Sequence, residues 1–261
     1  MLQSLFKLAF GTASLAVTRP FELVDRIETW REVKRDGQRY SNGAIAITDS
    51  AALCQADAFD AVHNLLGLPA CDTCVDEIRA ISSEVTASLP EGHPYDAGEM
   101  LSPTLWVLTR HLKPLRIVET GVARGVSSAF MLDALDKNGV GHLWSIDLPP
   151  IRGDKELIGS AVPDRLRNRW TYILSSSRRA LPPLLSELGA IDMFLHDGLH
   201  TSETMTLEFH HVWPYLAKNG VLVADDVHSN TSFVDFARRI DRRPLLMTEG
   251  EKGTAIGLLK V

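Results

Sequence analysis

Apolar residues follow two periods along this chain. Between 116 and 261 they come in short, nearly unbroken runs, at 116–120, 142–148, 170–174, 191–195 and 220–224. Runs of that length are the mark of strands covered on both faces. Between them the spacing lengthens to that of helices, over 103–111, 126–135, from the serines at 175–177 to 188, over 202–216 and over 231–240. Strand alternating with helix predicts a parallel sheet with helices on both faces. The last two runs, 245–248 and 255–261, are separated by a turn at 249–253 and predict a terminal hairpin that sets one antiparallel strand into the sheet.

The first hundred residues read differently. Leu23, Val24, Ile27, Trp30 and Val33 recur at helical spacing and predict a helix over 21–35, closed by Asp36-Gly37. Two more helices are expected over 49–66 and 74–89, and a break with two prolines follows at 89–94. The chain therefore divides into a helical N-terminal extension, 1–98, and an α/β domain, 99–261. The extension carries no chemical motif and is expected to cover substrate or to form a dimer contact. Its first eighteen residues are apolar with one charge, Lys7. The uncharged run 8–18 is too short to span a bilayer. Its basic flank is thin and no small-x-small cleavage site follows, against a signal peptide. The stretch reads as a helix packed on the domain or on a partner subunit, with membrane-surface contact as the alternative.

Composition narrows the function. The apolar fraction of 45% suits a full globular core, and a formal charge of −6 argues against a general nucleic-acid binder. Three cysteines, Cys54, Cys71 and Cys74, do not make a disulfide scaffold, which points to a reducing, cytoplasmic setting. Cys71-x-x-Cys74 lacks the second cysteine pair of a zinc site.

Candidate chemistry gathers where a parallel sheet places it, at the carboxyl ends of the strands. The run Ile117-Val118-Glu119-Thr120-Gly121-Val122-Ala123-Arg124-Gly125-Val126-Ser127-Ser128 reads as strand, glycine turn and helix start. Its spacing, E-x-G-x-x-x-G, is neither G-x-G-x-x-G nor a Walker loop. The next strand ends in Asp147, where a carboxylate can accept ribose hydroxyls, and the third in Ser175-Ser176-Ser177. The fourth ends in His196-Asp197-Gly198-Leu199-His200 and the fifth in Asp225-Asp226. His200 is the first candidate general base, with His196 and His228 behind it. His196 and His200 are not a zinc helix, because no glutamate follows His196 and Gly198 favours a loop.

These motifs resemble a known family. The E-x-G-x-x-x-G turn, Ser145-Ile146-Asp147, residues 191–200 and residues 220–226 together resemble class I methyltransferases that use S-adenosylmethionine (SAM), and among them the methyltransferase-24-type small-molecule O-methyltransferases. The resemblance covers 101–261. It implies a Rossmann-like, seven-stranded, mostly parallel sheet and a SAM pocket shaped by Glu119, Thr120, Gly121, Gly125 and Ser127. It further implies that Asp147 binds the ribose, that Ser176 lies near the adenine, and that Asp197 lies beside the cofactor. In metal-dependent relatives the positions of Asp197, Asp225 and Asp226 hold magnesium, which polarises the acceptor hydroxyl. Many relatives read Asp-Gly-Asp-His where this chain has Asp197-Gly198-Leu199-His200, one acid fewer. Catalysis is thus expected from His200 and Asp197, with Mg²⁺ or without it. The expected partners are a small-molecule acceptor and a second copy of the chain, with no nucleic acid and no stable membrane insertion. Two other readings stay open: an NAD-dependent oxidoreductase, against which the glycine spacing stands, and a non-catalytic SAM-fold partner protein.

Overall fold

The computed structural model describes residues 19–39, 53–54, 72–89, 100–148, 157–249 and 254–261. The expectations for 1–18, for most of the 49–66 helix, for Cys71, for the proline break and for the centre of the last hairpin turn fall outside them.

In chain order the elements are α1 (Pro20–Arg39), β1 (Leu53–Cys54), α2 (Asp72–Ser88), α3 (Leu101–Leu112), β2 (Arg116–Thr120), α4 (Val126–Asn138), β3 (His142–Asp147), β4 (Trp170–Leu174), α5 (Ser177–Leu188), β5 (Ile191–His196), α6 (Ser202–Val212), β6 (Leu216–Ala224), α7 (Ser232–Arg239), β7 (Leu245–Glu249) and β8 (Thr254–Lys260). They build one sheet in the order β1-β7-β8-β6-β5-β2-β3-β4. Only β8 is antiparallel to its neighbours, β6 and β7, as the terminal hairpin requires. The seven expected strands are present. An eighth, the two-residue β1, pairs in parallel with β7 at the sheet edge. It falls where a helix over 49–66 was expected. A helix there would leave the free edge of β7 without hydrogen-bond partners, and two extended residues satisfy it. Helix α1 also runs past Asp36-Gly37 to Arg39.

Alternation along each strand sorts the core into two layers. Ile117, Met193, Leu195, Val221 and Val223 point to the side covered by α2, α3 and α4. Val118, Phe194 and Leu222 point to the side covered by α5, α6 and α7. After β4 closes one edge, the chain crosses back to place β5 on the other flank of β2. The strand order therefore reverses between β2 and β5, and a crevice opens at their carboxyl ends.

Helix α1 belongs to neither apolar layer. It lies over the carboxyl ends of the strands and meets the domain through its polar face. Asp25 accepts from Ser176 Oγ at 2.7 Å and pairs with Arg179 Nε at 2.7 Å. Glu32 accepts from Thr201 Oγ1 at 2.6 Å and Thr204 Oγ1 at 2.7 Å, and pairs with Arg178 at 2.7 Å. Asp36 accepts from Ser202 Oγ at 2.7 Å.

Candidate active site

Two adjoining cavities occupy the crevice. One, of about 280 Å³, lies between the β2 turn, Asp147, the serines after β4 and the polar face of α1. The other, of about 210 Å³, is enclosed by the same turn together with Asp197, His200, Asp225 and Asp226. Val122, Ala123 and Asp197 are walls of both.

The turn after β2 is held by its neighbours. Asp147 Oδ2 accepts from the amides of Val122 and Ala123, each at 3.0 Å, and Oδ1 accepts from Leu148 N at 2.7 Å. Asp147 thus lines the larger cavity and at the same time fixes the turn. Gly121 has φ +87°, and a Cβ there would come within 2.0 Å of the Asp197 carbonyl oxygen. The glycine is demanded by contact between the β2 and β5 loops, not by the approach of a ligand. Gly125 caps α4 at φ +83° and would press a Cβ to 2.8 Å from Val162. Gly125 is a packing position rather than a pocket wall, whereas Gly121 also lines the larger cavity.

Glu119 does not face a cavity. It is fully buried, with its carboxylate receiving the hydroxyls of Ser127 at 2.8 Å, Ser128 at 2.7 Å and Ser145 at 2.6 Å. Burial pushes its pKa up to about 7 against the lowering pull of the three serines. Ser127 is engaged there while its residue also borders the smaller cavity. Ser176 borders the larger cavity, with its hydroxyl turned to Asp25. These placements correct the expectation that Glu119 and Gly125 shape the pocket directly, whereas Gly121 does line the larger cavity. They build the turn that shapes it.

The acids at the ends of β5 and β6 do converge. Ligand atoms of Asp197, His200 and Asp225 all lie within 4.8 Å of one another. Burial, then the facing Asp225, then Glu119 and Asp226, hold the Asp197 carboxyl well above the usual range. Asp226 departs from the expected metal set. Its oxygens turn to two histidines, His200 Nδ1 at 3.1 Å and His228 Nδ1 at 3.8 Å. The hydrogen bond with His200 is the main cause that holds Asp226 below its ordinary value. With Nδ1–H given to Asp226, His200 keeps a lone pair on Nε2, and that atom is buried without a hydrogen-bond partner.

A second buried cluster was not anticipated. His196, the runner-up base, is fully buried, and its Nδ1 meets Glu208 Oε2 at 2.7 Å. The hydroxyl of Thr120 donates to the same oxygen at 2.6 Å. Burial raises the Glu208 pKa, but His196, Ser177 and Thr120 outweigh it and the net shift is downward. His196 packs edge-on to His200, with ring centroids 5.3 Å apart. This cluster underlies the loop that carries Asp197 and His200, and its Thr120 and Glu208 line the larger cavity. One signal for it lies in the sequence: Glu208 interrupts the apolar face formed by Met205, Phe209 and Val212. Asp25 and Glu32 were missed as cavity walls, because the sequence reading of this helix rested on its apolar residues alone.

Comparison with known proteins places the domain. Residues 118–227 match a family model described as a methyltransferase domain. No curated protein matches the chain. Among solved structures, cofactor-bound Rv0187 from MTB is 17% identical, with a TM-score of 0.50 over 80% of this chain and 99% of that one. A putative O-methyltransferase from Klebsiella pneumoniae is 20% identical, with a TM-score of 0.50 over 77% and 96%. The S-adenosylhomocysteine-bound methyltransferase PaMTH1 from Podospora anserina is 13% identical, with a TM-score of 0.51 over 74% and 97%. At such identities the likeness is one of fold.

Proposed function

We propose, from the match of residues 118–227 to a methyltransferase-domain family, that this chain transfers the methyl group of SAM to a hydroxyl of a small molecule. One observation carries the choice of acceptor atom. Asp197, Asp225 and His200 converge beside the larger cavity, with a partnerless imidazole nitrogen among them. Asp147 and Ser176 of the larger cavity would hold the ribose and adenine of SAM, and the sulfonium would supply an electrophilic methyl group towards the smaller one.

The acceptor oxygen attacks the methyl carbon as the carbon–sulfur bond breaks, releasing S-adenosylhomocysteine. His200 Nε2 takes the hydroxyl proton. Asp226 holds the imidazole in the required tautomer and stabilises the imidazolium as it forms. Asp197 and Asp225 suit a divalent cation, since two carboxylates that raise each other's proton affinity are relieved by one. Bound there, such an ion would lower the pKa of the acceptor hydroxyl. The N-terminal extension acts as a cap, with Asp25, Thr29 and Glu32 of α1 closing the cofactor cavity.

The test is transfer of labelled methyl from SAM into a metabolite extract, with wild type and His200→Ala, each with and without EDTA. Loss of the base should lower the rate by about 10²–10⁴-fold while S-adenosylhomocysteine still binds by calorimetry. EDTA should lower it further, and Mg²⁺ should restore it. Full activity of His200→Ala in the presence of EDTA would remove both roles and leave positioning alone.

A further inference from the structure

Helix α1 is amphipathic with its polar face inward. Asp25 and Glu32 are buried against the domain, while Val24 is 47% exposed, Ile27 40% and Trp30 62%. Half of the strongly exposed large apolar side chains among the described residues lie on this one helix. At about 100° per residue, Val24, Ile27, Trp30, Arg31 and Lys34 fall on one arc opposite Glu32, and all five are exposed. The charges on that arc are basic only. Arg31 and Lys34 form no ion pair among the described residues, and Lys34 Nζ lies 5.3 Å from the centre of the Trp30 ring. Immediately before the helix, residues 8–18 carry no charge and are mostly apolar.

We infer that the outward face of α1 docks on an anionic lipid surface. An apolar strip with an aromatic ring, flanked by unpaired cations, is the composition of a helix lying in a bilayer interface. No described helix is long and apolar enough to cross a membrane, so the contact is peripheral. Charge selects this occupant over a second copy of the chain. Two such faces brought together would oppose unpaired cations with no acid between them, whereas anionic headgroups complement them. The chain as a whole carries −6, so the basic strip is a local departure. The inner face of the same helix walls the cofactor cavity, and docking therefore sets that wall between the cavity and the lipid surface. The inference does not depend on which molecule is methylated.

The test is flotation of the full chain with vesicles of phosphatidylcholine alone or mixed with phosphatidylglycerol. The chain should float with the mixed vesicles and be released by high salt. Arg31→Gln with Lys34→Gln should weaken partition roughly thirtyfold. Ile27→Asp with Trp30→Ser should abolish it, with an unchanged melting curve because neither side chain belongs to either apolar layer of the domain. Failure to float with anionic vesicles would overturn the inference. So would full binding by both variants, or variants that only convert a dimer to a monomer in sedimentation.

Discussion

Helices α1 and α2 bury residues at the same spacing with opposite chemistry. On α2 the inward positions are Cys74, Ile78, Ile81 and Val85, and they join the apolar layer of α3 and α4. On α1 the corresponding steps are Asp25, Thr29, Glu32 and Asp36, and they meet arginines and hydroxyls. A helical period shows that a helix has a face. The surface it lands on decides which face goes in. α2 lands on the side of the sheet, where apolar residues alternate outward. α1 lands across the strand ends, where backbone groups, loop hydroxyls and helix-start residues leave nothing apolar to cover. The first kind of attachment is built on area removed from water, and the second on hydrogen bonds and charge pairs that compete with water.

The contrast is broken most strongly from the apolar side. Ile81 is 1% exposed, and Ile81→Ala should lower global stability by about 2–5 kcal/mol. Urea unfolding should show that loss in the domain as a whole, because α2 is continuous with its core. A loss confined to α2, with the remainder unfolding as before, would show the helix to be separable.

Buried carboxylates sharpen the comparison next. Glu32 has the Arg178 cation at 2.7 Å, whereas Glu119 has only hydroxyls. Glu119 is raised from 4.5 to about 7, so the native state keeps a proton that the unfolded chain releases. Stability from this group is present at low pH and is lost as pH rises from about 4.5 to about 7, by roughly 3 kcal/mol in all. Glu119→Gln cannot ionise. Urea titrations at both ends of that window should show the variant gaining on wild type by that amount as pH rises. A constant difference would mean that the carboxyl is not held protonated.

How far the sequence could be read follows the same division. The strands β2, β3, β5 and β6 were legible because a strand covered on both faces writes its burial into consecutive residues, and the half-buried edge strand β4 was legible from its aromatic and β-branched residues. The convergence of Asp197, His200 and Asp225 was legible because topology alone brings strand ends together. The roles within the site were less so. Asp226 stands next to Asp225 in sequence, yet φ +49° at Asp226 turns it to His200 and His228. Gly121 and Gly125 were visible as a turn, but what each touches depends on Asp197 and Val162, which are far away in sequence. The inversion of α1 could not be seen from its own residues, which show an acidic stripe and an apolar stripe with equal clarity. The partners that decide between them, Arg178, Arg179, Thr201 and Thr204, lie about 150 residues later.

The smallest effect is the most specific to α1. Glu32→Ala leaves the hydroxyls of Thr201 and Thr204 and the Arg178 guanidinium without their shared acceptor. Those groups stand near the cavity mouth, and water reaches them once the helix lifts. The expected cost is therefore about 1–2 kcal/mol, less than for a sealed interior pair. It should appear as local opening: faster amide exchange along α1, with α2 and the sheet unchanged and the global urea midpoint nearly the same. Raising salt to about 0.5 M should act in the same direction on wild type, because the Arg178 and Arg179 pairs are partly solvated and the screening length falls to a few ångströms. Exchange in α2 should respond less, because its Glu77 and Glu84 pairs lie at its solvated rim while Ile78, Ile81 and Val85 hold it by apolar contact. Equal sensitivity of the two helices would show that α1 is held by apolar contact after all, and that its outward strip is not the face left over.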